Sequence, residues 1–183
     1  IIDGTGSPRK ISDVAIKDGK ISEIGKVSGQ SRRVINAENK FVTPGWVDIH
    51  THYDGQATWD PYLTPSSWHG VTTCVFGNCG VGFAPVQKGK EKYLINLMEG
   101  VEDIPESVLS EGIDFCWETF PEYLNALESS SRIMDIGTQV PHSALRFFVM
   151  GDDGANHLCK PNEEQISRMK NILEEALCAG ALG

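Results

Sequence analysis

His50 and His52, one residue apart behind the short apolar run Trp46-Val47-Asp48-Ile49, are the residues whose type and spacing point most directly to chemistry. Successive side chains of an extended strand alternate faces, so Asp48, His50 and His52 share one side while Val47, Ile49 and Thr51 share the other. Two imidazoles on one face can converge on a divalent cation, and Asp48 and Asp54 put supporting carboxylates beside them, Asp48 one step deeper on the histidine face, where it could orient an imidazole through its other nitrogen. Pro44-Gly45 interrupts whatever comes before, so the strand starts there. The histidines then fall at its C-terminal end, where parallel α/β architectures collect functional groups. A bare His-x-His is also what a strand carries when its imidazoles are ordinary core or surface residues, so the spacing needs support from the rest of the chain.

Cys79 offers that support. It follows the β-branched and aromatic run Val71-Thr72-Thr73-Cys74-Val75-Phe76 and sits in Gly77-Asn78-Cys79-Gly80, a turn at the tip of a second strand. A thiolate there is within reach of the same ion, and zinc accepts mixed histidine and cysteine ligation. The competing reading is an inert cysteine buried beside a turn. His142 follows a third strand over Ile133–Val140 and either reaches the pocket or caps a loop. Arg146 could grip a substrate carboxylate with its two-pronged guanidinium or could serve as an ion-pairing residue. The other cysteines, Cys74, Cys116, Cys159 and Cys178, read as small buried hydrophobes. With an odd total of 5 and no Cys-x-x-Cys pair, reduced thiols fit better than a disulfide framework.

The elements that must position these groups follow from patterning. Residues 1–43 read as β structure. Val14–Lys17 and Lys20–Ile24 flank Asp18-Gly19, which supplies the positive φ angles of a two-residue hairpin turn. A second pair, Val34–Ala37 and Lys40–Val42, is joined through Glu38-Asn39. Residues 44–183 change to strands alternating with longer helical stretches, the signal for βα units on a parallel sheet. Tyr93, Leu94, Leu97 and Met98 have helical spacing, and Phe120, Tyr123, Leu124 and Leu127 repeat it from Pro121. The acidic run Glu99–Glu106 reads as a solvated loop, with a lid over the site as the functional alternative. The clearest helix is capped by Asn162 with Gln165 three residues on, carries an Ile166, Met169, Ile172, Leu173, Ala176 and Leu177 stripe, and ends at Gly180.

Composition excludes some classes of function. A formal net charge of −9, with the basic residues scattered, argues against a nucleic-acid partner. No apolar run approaches the ~20 residues of a membrane span, and no basic-then-apolar leader is visible, so a cytoplasmic location is expected. The first residue is Ile1 rather than Met, and neither Ile1 nor Gly183 is expected to be a native terminus.

Beyond these readings, Pro44-Gly45-Trp46-Val47-Asp48-Ile49-His50-Thr51-His52 resembles the first-strand signature of the amidohydrolase superfamily, and Gly77-Asn78-Cys79-Gly80 resembles the cysteine-bearing segment of its N-acyl-D-amino-acid deacylase (D-aminoacylase) branch. The same branch is resembled, in order, by Glu99-Gly100-Val101-Glu102-Asp103-Ile104-Pro105, by Trp117–Leu124 and by Val140–Arg146. The fold this implies is α/β: the first three strands of a metal-dependent (β/α)8 TIM barrel (44–183), preceded by part of a small β-sandwich (1–43). His50, His52 and Cys79 would be metal ligands, for one or two divalent ions with zinc the expected metal; His142 and Arg146, from their own positions, are the candidate substrate-binding residues. The implied activity is hydrolysis of a non-peptide amide, deacylation of an N-acyl-(D-)amino acid by metal-activated water. The implied acid–base aspartate lies beyond Gly183, so the fragment alone is expected to be inactive. A cyclic-amide hydrolase of the hydantoinase or dihydroorotase kind, or a non-catalytic scaffold, are the alternatives. The expected partner is the small-molecule substrate, with a homo-oligomeric state left open.

Overall fold

In the computed structural model, which describes residues 1–183, the Asp18-Gly19 turn closes its hairpin as the sequence requires. Asp18 and Gly19 take φ values of 52° and 72°, and β1 (Asp13–Lys17) pairs antiparallel with β2 (Lys20–Gly25). The hairpin belongs to the first of two compact units, Ile1–Gly45; the second is Trp46–Gly183. The second strand pair expected in the first unit does not form. Residues 34–42 keep only the turn, with Asn39 at φ 58° and the Lys40 N–H bonded to the Ala37 carbonyl at 3.0 Å. Val34, Ile35 and Phe41 are exposed, so no burial of apolar side chains is available to hold a second ladder together.

The second unit is built on a parallel sheet of order β3-β4-β5, with β3 at Trp46–Thr51, β4 at Val71–Phe76 and β5 at Asp135–Thr138. β3 and β4 are joined by a segment with two short 3-10 turns, Gln56–Thr58 and Ser66–His69. Between β4 and β5 run α1 (Glu91–Glu102), α2 (Glu106–Gly112) and α3 (Phe120–Glu128). After β5 come α4 (His142–Met150), α5 (Asp152–Ala155) and α6 (Glu163–Ala179). Past α6, Leu182 N–H donates to the Thr138 carbonyl at 2.9 Å and the Gly183 carbonyl accepts from Val140 N–H at 2.8 Å, a ladder extended beyond β5.

Phe76, Phe83, Leu94, Met98, Phe120 and Tyr123 lie in the core of this unit. They explain why α1 and α3 form where the helical spacing predicts, since each helix buries one face. α3 starts on a reciprocal capping box between Thr119 and Glu122, and α6 on one between Asn162 and Gln165, with Gly180 left-handed after its end. The α6 stripe is less covered than its pattern suggests, and only Ala176 is fully buried.

Three further expectations are corrected. The acidic run is not a loop: Glu99–Glu102 forms the last turn of α1, Asp103 ends it in the left-handed conformation, and Glu106 opens α2. Buried Leu94, Ile95 and Met98 carry the helix into that segment. The third strand is shorter than Ile133–Val140, its ladder being confined to Asp135–Thr138. Of the four cysteines expected inside, only Cys74 is buried; Cys159 is partly exposed and Cys116 and Cys178 are exposed, and all five thiols are free.

Candidate metal centre

The tip of β3 is fastened to β4 before it presents its histidines. Thr51, buried, donates its hydroxyl to the Val75 carbonyl at 2.9 Å. The Asn78 side-chain amide donates to the Ile49 carbonyl at 2.7 Å, tying the Cys79 turn to the strand between Asp48 and His50. Gly77 makes that turn possible: its φ is 86°, and a Cβ there would collide with the Gln139 carbonyl oxygen. Gly80 N–H closes the turn on the Gly77 carbonyl at 3.1 Å, and Val81 N–H donates to Cys79 Sγ at 3.2 Å.

The three candidate ligands are brought together. His50 and His52 have ring centroids 5.5 Å apart, and Cys79 Sγ is 3.8 Å from His52 Nδ1. One ligand atom from each of His50, His52 and Cys79 falls within 4.8 Å of the others. At zinc–nitrogen and zinc–sulfur bond lengths, the donors of a tetrahedral ion are roughly 3.3–3.8 Å apart, so this set fits a single cation after small side-chain adjustments. His50 and Cys79 are exposed and His52 partly so, which leaves an approach from solvent.

Negative charge surrounds the cluster. Glu102, at the end of α1, brings Oε1 to 3.1 Å from His52 Nε2. Asp54 is fully buried, its Oδ2 has no partner, and its backbone carbonyl accepts the Tyr123 hydroxyl at 2.7 Å. Burial pushes the Asp54 carboxyl up to about 8, and the nearby Glu102 charge adds to the rise. Burial also raises the Cys79 thiol, with Asp54 and Glu102 pushing the same way and the Val81 amide opposing them. A thiol, two imidazoles and two acids with no Lys or Arg in their first contacts are a donor set that a divalent cation would complement.

The other sequence candidates are not among the three converging donors. His142 is exposed at the start of α4, beside Gly80, whose carbonyl accepts Ser143 N–H at 2.9 Å. Arg146 turns its guanidinium to the carbonyls of Gly154, Asn156 and Cys159, at 3.3, 3.1 and 2.9 Å. Asp48, expected to orient an imidazole, instead accepts the His50 backbone N–H at 3.2 Å. Glu102 and Asn78 were not singled out by sequence reasoning. Asn78 lies inside the Gly-Asn-Cys-Gly turn, but nothing local marks Glu102, because its partner is 50 residues away and the contact exists only once α1 has packed.

Residues 33–183 match the model of an amidohydrolase family. The chain is 32% identical to D-aminoacylase of Alcaligenes xylosoxydans xylosoxydans over 184 residues, which is 100% of this chain and 35% of that protein. Among solved structures, one of D-aminoacylase, described for its binuclear metal centre with one-metal activation and second-metal attenuation, is 33% identical with a TM-score of 0.78, covering 100% of this chain and 36% of that one. N-acyl-D-glutamate deacylase from Bordetella bronchiseptica, complexed with zinc and a phosphonate mimic of the tetrahedral intermediate, is 29% identical with a TM-score of 0.72 over 100% of this chain and 35% of that one. The chain thus spans about a third of the length of the relatives it matches.

Proposed function

This chain belongs to the amidohydrolase family, and on that footing we propose that it forms the first part of a metal-dependent deacylase of N-acyl-D-amino acids. The observation that carries the reading is the convergence of His50, His52 and Cys79, with one donor atom each within 4.8 Å of the others. These residues would hold zinc, as one ion or the first of two. The bound ion would activate water at neutral pH and polarise the amide carbonyl. The likeness of the whole chain to two deacylases of N-acylated D-amino acids supports the substrate class.

The chain's own residues set the frame for that chemistry. Thr51 and Asn78 hold the ligand-bearing tips in register, and the Gly77 and Gly80 turn exposes the thiol. Asp54, fully buried two residues past His52, has its carboxyl raised to about 8 by that burial in the metal-free chain. His142, at the start of α4 beside Gly80, is the substrate contact we assign at the rim. Arg146, in the middle of α4, would act by tying α5 and the segment after it to that helix, because its guanidinium is engaged with their carbonyls. A small-molecule substrate agrees with the net charge of −9, and a cytoplasmic setting agrees with five free thiols. No helix is long and apolar enough to cross a membrane.

The test uses the full-length enzyme, assayed for amino-acid release from N-acetyl-D- and N-acetyl-L-amino acids, with metal content measured on the same samples. Bound zinc, D-selective release, and loss of both on exchanging Cys79 for Ala are expected. Preferential hydrolysis of a cyclic amide, or full activity in metal-free protein, would overturn the reading.

A further inference from the structure

His52 is approached from two sides. Its Nδ1 lies 3.8 Å from Cys79 Sγ, and its Nε2 lies 3.1 Å from Glu102 Oε1. A neutral imidazole has one lone pair and one N–H, so a ring that gives its lone pair to a cation beside Cys79 must place its proton on the other nitrogen. That N–H then needs an acceptor. In the structure the carboxylate at Nε2 is Glu102, while the one hydrogen bond of Asp48, on the histidine strand, is from the His50 backbone N–H.

Glu102 is placed by the fold. Met98 and Leu94 anchor α1 in the core, and Asp103 ends the helix immediately after Glu102. The Glu99 carboxylate accepts Glu106 N–H at 3.1 Å, bracing the joint between α1 and α2. The Glu102 side chain is 27% exposed, and His52 19%, so their contact is largely shielded from water.

We propose that Glu102 is a positioning residue of the metal centre: it accepts the Nε2 proton of His52, fixing the tautomer and ring orientation in which Nδ1 faces the cation shared with Cys79. The inference rests on the metal-centre reading above and adds to it a residue from outside the ligand set. A carboxylate behind a histidine ligand raises the basicity of that ligand, and loss of such a partner lowers metal affinity by roughly 10- to 100-fold.

The experiment measures Zn2+ affinity in the full-length enzyme by competition with a chromophoric chelator, for wild type, Glu102→Ala and Glu102→Gln. Parallel samples carry Co2+, whose sulfur-to-metal charge-transfer band reports Cys79 ligation. The expected result is an affinity loss of about 10- to 100-fold for Glu102→Ala with the charge-transfer band and the ion count kept. Glu102→Gln should recover most of the affinity, because its amide oxygen still accepts the Nε2 proton. An unchanged affinity in Glu102→Ala would overturn the proposal. So would an altered cobalt ligand-field spectrum in both variants without rescue by Gln, which would make Glu102 a ligand itself. Matching thermal unfolding of the metal-free proteins separates these results from misfolding. Failure of wild type to bind any ion would instead sink the metal-centre reading on which this rests.

Discussion

The tips of β3 and β4 and the tip of β5 both carry residues with chemistry to offer, yet the fold treats them differently. At the first pair of tips, bonds between segments far apart in sequence hold the groups: Thr51 to Val75, Asn78 to Ile49, and Glu102 to His52. At the β5 tip, the bonds made by the reactive side chains are local, with Arg146 bonded to carbonyls 8, 10 and 13 residues on. A group becomes part of a site when the fold fixes it against another segment and leaves its donor atom free. His50, His52 and Cys79 satisfy both conditions, whereas Arg146 is fixed by giving its Nε and one terminal nitrogen to backbone carbonyls.

The sharpest way to test that contrast is to remove a donor from each tip and measure the same quantity. Cys79→Ser in the full-length enzyme should weaken Zn2+ binding on the order of 1,000-fold, about 4 kcal/mol, because an alcohol stays protonated where a thiol can ionise onto the metal. Arg146→Ala should leave that affinity unchanged. Chelator competition checks both, and a comparable loss in the two variants would erase the distinction between the tips.

The next effect concerns the buried acid two residues past His52. Asp54 has a folded-state value raised to about 8 against an unfolded value near ~3.9, so the folded protein binds the extra proton between those limits. This group's contribution to the stability of the metal-free protein is therefore fully present below about pH 4 and is lost as pH rises toward 8, on the order of a few kcal/mol. Asp54→Asn removes the titration, and urea unfolding across that range should show a flatter profile. A slope equal to wild type would assign the pH dependence to other groups.

Legibility in the sequence follows the same division. The hairpin, the Asn162-capped helix and the shared face of His50 and His52 were readable because each depends on local chemistry: a turn that needs positive φ, a cap that needs Asn with Gln three residues on, a strand that alternates its faces; α3 was placed by its stripe and Pro121, and its Thr119–Glu122 cap emerged only in the structure. The strand pair over 34–42 failed because its apolar residues have nothing to bury against within their unit, which alternation alone does not reveal. Glu102 was missed because charge density suggested solvent, while the buried Leu94 and Met98 stripe extends the helix under those acids. Asp48 was given the orienting role on proximity in sequence, yet its hydrogen bond is to the His50 backbone amide and the carboxylate at an imidazole nitrogen is Glu102.

A smaller effect tests whether Arg146 is structural. Arg146→Ala strands three carbonyls that now accept charge-assisted bonds, and a loss of about 2 kcal/mol in denaturant unfolding is expected. Arg146→Lys should recover only part of it, since an ammonium lacks the fork that reaches several acceptors at once. A large rise in KM for N-acyl amino acids at unchanged stability would return the guanidinium to the substrate.

The smallest expected effect probes the link that holds the two ligand-bearing tips together. Asn78→Ala removes one neutral hydrogen bond to the Ile49 carbonyl on a partly solvated tip, worth about 1 kcal/mol of stability. Because Ile49 directly precedes His50 and Asn78 directly precedes Cys79, the same bond sets the distance between the imidazoles and the thiol. Zn2+ affinity should therefore fall a few-fold, while the cobalt–thiolate band persists. Asn78→Asp should do more damage than Ala, since a carboxylate cannot donate and would face the Ile49 carbonyl with like charge. If Ala and Asp bound zinc as wild type does, the β3 and β4 tips would owe their geometry to the sheet ladder alone, and the cross-strand bond would count for stability only.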